Sequence, residues 1–118
     1  MPDREGPVVP MVIVVFRSRF KDGVDVGAYA SLSEEMRELV GTQPGFVSIE
    51  TLEGPDGTRV SLEVFETDEA AVAWRGNPAH RAAQRRGREE FYAWYSVQVT
   101  EVLRSHELQL TTTAPAAR

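Results

Sequence analysis

Between Met11 and Phe20 the chain reads MVIVVFRSRF, and its first six positions are apolar on both alternating sets. That pattern predicts a strand covered on two faces. From Asp25 to Val40 the spacing changes: Tyr29, Leu32, Met36, Leu39 and Val40 recur at helical intervals, with Glu34, Glu35, Arg37 and Glu38 pointing elsewhere. An amphipathic helix follows, capped by Asp25 and ended near Gly41. Pro44-Gly45 breaks the chain before a second strand over Phe46 to Leu52, and Gly54-Pro55-Asp56-Gly57 is a turn. The third strand, Val60 to Glu66, alternates Val60, Leu62 and Val64 against Ser61, Glu63 and Phe65. Thr67-Asp68-Glu69 starts a helix that runs to about Trp74, and Gly76-Asn77-Pro78 interrupts it. Pro78 opens a second helical piece reaching about Phe91, with His80, Ala83, Gln84, Gly87 and Phe91 along one face. Tyr92 to Arg104 mixes aromatic and β-branched residues and reads as the last strand.

The resulting order, β-α-β-β-α-β, predicts an α+β, ferredoxin-like domain: a four-stranded antiparallel sheet carrying both helices on one face. Val12, Ile13, Val14, Val15 and Phe16 cannot all point at the helices. The far face of the sheet therefore calls for a cover, and a homodimer with sheets packed face to face is the expectation. The domain is assigned to residues 11–106, between a flexible N-terminal segment, residues 1–10, and a flexible C-terminal tail, residues 107–118.

With 118 residues, one domain is expected, too small for a catalytic unit beside a separate cofactor domain. Thirteen basic against 18 acidic residues give a net charge of −5, which argues against nucleic acid and anionic membranes as partners. Arg81, Arg85, Arg86 and Arg88 form a local basic cluster, but Glu89 and Glu90 follow directly, as on a solvated helix face. No apolar run is long enough to cross a bilayer, and the acidic, proline-containing start lacks the pattern of a secretory signal. A cytoplasmic location is expected, and the absence of cysteine fits a reducing compartment.

The densest chemistry lies between Trp74 and Tyr95, where an indole, an amide and an imidazole fall within seven residues of a helix entry. The two histidines, His80 and His106, lie far apart and match no metal-binding spacing, and no G-x-G-x-x-G turn offers a dinucleotide site. The sequence also carries Pro44-Gly45-Phe46 before the second strand, then Trp74, Asn77-Pro78-x-His80, Gly87-Arg88-x-x-Phe91-Tyr92 and the strand Val97 to Arg104. Together these resemble the antibiotic biosynthesis monooxygenase superfamily of dimeric α+β barrel proteins, over roughly residues 11–106.

The resemblance implies a cofactor-independent monooxygenase that oxidises an electron-rich aromatic, such as an anthrone- or hydroquinone-type polyketide, to a quinone. Molecular oxygen would be the co-substrate, with no bound cofactor or metal. In that reading His80, or a water it holds, accepts the substrate proton, Asn77 hydrogen-bonds the enolate or phenolate oxygen, and Trp74 donates its indole N–H to that oxygen or to the developing peroxide and walls out water. Tyr29, Met36, Phe46, Phe65, Phe91 and Tyr95 would line the substrate pocket, and Arg17 on the first strand would complement an anionic intermediate.

Each of these residues also has a structural alternative: Trp74 as a core anchor, Asn77 as a helix cap, His80 as a satisfied buried imidazole, Arg17 as a solvent or interface charge. His106 is read as having no role. The superfamily also contains haem-degrading enzymes that use a Trp, a His and an Asn on the first strand. Here that strand has no Asn, and Asn77 sits on the second helical piece instead. A non-catalytic aromatic-binding protein, or a cyclase or isomerase, are the other functions the scaffold allows.

Overall fold

The computed structural model describes residues 11–111. The flexibility expected of residues 1–10 and 112–118 lies outside them. The elements run β1 (Val12–Phe20), α1 (Val26–Val40), β2 (Phe46–Glu53), β3 (Arg59–Phe65), α2 (Asp68–Arg75), α3 (Pro78–Arg86), a π-helical turn (Gly87–Phe91) and β4 (Tyr92–Glu101). The strands form one antiparallel sheet in the order β2-β3-β1-β4, the ferredoxin-like arrangement expected from the sequence. The last strand ends at Glu101, three residues earlier than expected. Among the described residues no helix is long and apolar enough to span a membrane.

Local chemistry fixes the boundaries. Asp25 accepts from the Ala28 N–H and caps α1, Thr67 accepts from the Ala70 N–H and caps α2, and Asn77 caps α3. Gly57, at φ 82°, makes the β2–β3 turn in a conformation that L side chains avoid. The helix expected from Pro78 to Phe91 is continuous, but its last turn widens into π geometry.

The register shows which side of the sheet each residue serves. Val12 pairs with Phe65, Val14 with Glu63, Phe16 with Ser61 and Ser18 with Arg59. Directly opposed residues share a face, so these eight side chains point at the helices, and Ile13, Val15, Arg17, Val60, Leu62 and Val64 point away. The third strand is thus turned opposite to the usual amphipathic arrangement. Its continuous apolar set faces outward and its Arg-Ser-Glu set faces the helices.

Two clusters hold α1 against the sheet. At its C-terminal end Val40 packs with Val12, Phe65, Ala71 and Trp74, supported by Met36, Leu39 and Phe46. At its N-terminal end Tyr29 meets Phe20, Phe91 and Tyr92 edge-on, with ring centroids 4.7–6.2 Å apart. On the inward face Val14 packs on the first cluster and Phe16 on the second, while these two residues, Ser61 and Glu63 keep part of their surface accessible. This partly accessible strip over the middle of β1 and β3 is the candidate cleft.

Candidate active site

The break between α2 and α3 is built to fold one ring onto another. Trp74, in the last turn of α2, is 3% exposed, and its indole N–H donates to Glu63 Oε2 at 3.2 Å. Its backbone carbonyl closes the break by accepting from the Asn77 N–H at 3.1 Å. Asn77 Oδ1 then accepts from the Ala79 and His80 N–H groups, and Pro78 occupies the first turn, where no N–H is needed. One turn later the His80 imidazole lies on the Trp74 indole, with centroids 4.1 Å apart and planes 15° from parallel.

His80 Nδ1 sits 3.1 Å from the Trp74 carbonyl oxygen. A carbonyl can only accept, so Nδ1 carries the hydrogen and the lone pair of the neutral ring is on Nε2. Burial holds the imidazole pKa below its ordinary 6.5, opposed in part by the Trp74 carbonyl. His80 is thereby held as a neutral imidazole with a defined tautomer.

Glu63 was not among the residues expected at the site. Burial pushes its carboxyl above the ordinary 4.5, and the Trp74 N–H pulls the other way less strongly. This contact revises the role expected of Trp74. The indole N–H, expected to meet a substrate oxygen, donates to Glu63 in this structure. Asn77 is similarly engaged: its Oδ1 is the helix cap, and only its NH2 remains to face a ligand.

The expected lining residues separate into groups. Tyr29 lies in the aromatic cluster, Met36 packs on the core cluster, and Tyr95 stacks on Phe16 with centroids 5.6 Å apart. Phe65 and Phe91 are fully buried, and Phe46 packs edge-on against Phe65; these three support the walls from behind. Arg17 does not join them. It projects from the opposite face of the sheet, where its guanidinium donates to Gln98. Tyr92 joins this aromatic cluster, although the sequence pattern does not single it out. Its ring lies beside Phe16, Phe20, Tyr29 and Tyr95, and burial, with Tyr29 adding to it, pushes its phenol well above the ordinary value.

The signal that could have revealed Glu63 and Arg59 was the alternation of β3. An Arg-Ser-Glu set opposite an unbroken Val-Leu-Val set is unusual for a hairpin, unless its polar side faces something other than bulk water. Among the described residues no group of three His, Asp or Glu is placed to hold a metal ion. A separate open depression of about 320 Å³ lies on the outer side of α2, lined by Gln43, Pro44, Gly45, Thr67, Glu69, Ala70 and Ala73. It does not include the Trp74–His80 stack.

Residues 11–86 match the family described as antibiotic biosynthesis monooxygenase, and the chain belongs to it. A relative at the sequence level is the uncharacterized protein YqjZ of Bacillus subtilis (strain 168), 33% identical over 106 residues that span 90% of this chain and 91% of YqjZ. The fold is shared with Rv0793 from Mycobacterium tuberculosis, with a TM-score of 0.71 at 22% identity over 80% of this chain and 97% of that one. It is also shared with a variant of SnoaB, a cofactor-independent oxygenase from Streptomyces nogalater, with a TM-score of 0.69 at 16% identity over 80% of this chain and 95% of SnoaB.

Proposed function

We propose that the protein is a cofactor-independent monooxygenase that converts an anthrone-type aromatic to the corresponding quinone. The observation that carries this reading is the 3.1 Å contact of His80 Nδ1 with the Trp74 carbonyl oxygen: a carbonyl only accepts, which leaves the lone pair on Nε2 to serve as the base. Membership of the family adds support, as does the oxygenase named among the proteins of like fold.

The chemistry is self-contained. His80 Nε2 removes a proton from the methylene carbon of the substrate, leaving a delocalised carbanion. An electron passes from the carbanion to dioxygen, and the radical pair collapses to a C–O bond, giving a peroxide. Loss of the second methylene proton breaks the O–O bond, leaving one oxygen atom as the new carbonyl and releasing the other as water. The substrate supplies all the electrons, and the residues supply the base and a place for the anion. Stacking on Trp74 fixes the imidazole plane, and the Asn77 NH2 is the nearby donor suited to the substrate oxygen.

Oxygen uptake with anthrone and its hydroxylated derivatives tests the proposal. Stoichiometric quinone formation is expected, with loss of about a hundredfold or more in turnover for His80→Gln, the scale of a removed general base. The acid limb of the pH–rate profile should lie below pH 6.5, the side to which burial shifts His80. Binding without oxygen uptake would reassign the protein to a sheltering role, and unchanged turnover in His80→Gln would remove the base.

The outward apolar set of β3 and β1 supports a homodimer through the open sheet face, with Leu52 and Trp94 exposed on the same side. Sedimentation at micromolar concentration should give twice the chain mass, and a monomer would reject this assembly.

A further inference from the structure

The inward face of β3 carries a second polar group. Arg59 lies four residues from Glu63 on the same side of the strand, about 13 Å along it at the usual rise per residue. Its guanidinium sits over the rings of Phe20, at 5.4 Å, and Tyr29, at 5.5 Å. Its Nε is buried and finds no acceptor among the described residues. Among the described residues the carboxylate paired with it, Glu53, is 3.9 Å from the other end of the group and 62% exposed, so it leaves the inner edge unanswered. A buried donor without a partner is costly, and a guanidinium on aromatic faces is preorganised for a planar, bidentate acceptor.

We propose that Arg59, with Tyr29, Tyr92 and Phe20 around it, is a subsite for a carboxylate carried by the aromatic ligand, placed so that the opposite end of the ligand reaches His80. A ligand that extends from Arg59 along β3 toward Glu63, whose carboxylate accepts from the Trp74 indole under the His80 ring, is a fused polycyclic acid rather than a single ring. The inference rests on the cleft being the ligand site and is independent of whether oxygen is consumed there.

Matched, unreactive probes separate the two questions: anthraquinone-2-carboxylate and its uncharged carboxamide, titrated into the intact protein and followed calorimetrically. The wild type should prefer the carboxylate by about tenfold or more, the value of a charge-assisted hydrogen bond. Arg59→Gln should abolish that preference while binding the carboxamide within about twofold of wild type, since only the charged contact is removed. If Arg59→Gln fails to fold, the salt response of the wild type decides: carboxylate affinity should fall with added salt while carboxamide affinity holds. Equal affinity for the two probes, binding of neither, or a preference that survives in folded Arg59→Gln would overturn the subsite. A carboxylate preference in a protein that consumes no oxygen would sustain the subsite and reject the oxygenase. Quinone formation without a carboxylate preference would do the reverse.

Discussion

Replacing Gly87 with alanine tests how tightly the aromatic end of the cleft is assembled. Gly87 has φ −56° and ψ −49°, ordinary helical values, so the backbone sets no penalty and alanine gains about 1 kcal/mol of helix propensity. Space sets the penalty instead. A Cβ at this position would lie 2.5 Å from Tyr92 Cε2 and 2.9 Å from Cδ2. Carbon atoms in contact prefer about 3.5–4.0 Å, so the ring must retreat by about 1 Å. Tyr92 has little freedom to do so, because it packs on Phe16, Phe20, Tyr29 and Tyr95 at once.

Overpacking costs about 1–3 kcal/mol, and each aromatic pair that loosens forfeits about 0.5–1.5 kcal/mol. Set against the propensity gain, a net loss of about 1–2 kcal/mol is expected. That corresponds to about 3–6 °C of melting temperature per kcal/mol for a domain of this size. Thermal and urea unfolding followed by far-UV circular dichroism give the loss, and the near-UV spectrum reports the displaced tyrosine. In a Tyr92→Ala background the obstacle is gone, and Gly87→Ala should become neutral or stabilising. Additive effects in that double-mutant cycle, or a single variant at least as stable as wild type, would refute the close-packing argument.

Glu63→Gln keeps an acceptor for the Trp74 N–H and cannot ionise. Because burial raises the Glu63 pKa, the folded state holds this proton more tightly than the unfolded chain, and the corresponding stability is lost as pH rises above about 4.5. The variant should therefore gain on wild type between pH 4.5 and 7 in urea titrations, and a constant difference across that range would count against it. Trp74→Phe removes the donor and leaves the carboxyl unanswered, so destabilisation of about 1–3 kcal/mol is expected beyond the loss of ring area; combined with Glu63→Gln the effects should be non-additive. Asn77→Ala should cost about 1 kcal/mol of stability through the lost cap, while Asn77→Asp restores it in the same unfolding assay.

The sequence pattern was legible wherever local chemistry decides the conformation. Asp25, Thr67 and Asn77 mark helix starts through short polar side chains that bond their own backbone, and Gly57 marks a turn through its positive φ. Trp74, Asn77 and His80 could be grouped because one helix break brings them together. Orientation was harder. Both alternating sets of β1 are apolar at its start, so nothing in the strand says which set meets the helices, and Arg17 was placed in the cleft when the register turns it outward. Charged positions on a hairpin ordinarily face water, so Arg59 and Glu63 escaped notice until the pairing of β3 with β1 fixed their side. The π turn at Gly87–Phe91 is too short to alter a periodic pattern, yet it shifts the phase of Phe91 and Tyr92 and carries both into the aromatic cluster.

The anchoring of α1 at its two ends bears on how such a protein can change. Val40 and Tyr29 hold the helix from opposite extremities, so Ser61, midway along β3 and outside both clusters, carries little of the burden of keeping the chain folded. Mutations at Ser61 can reshape what is accommodated there without passing through an unfolded ancestor, which makes the centre of this sheet the natural place for new specificities to arise or to be engineered.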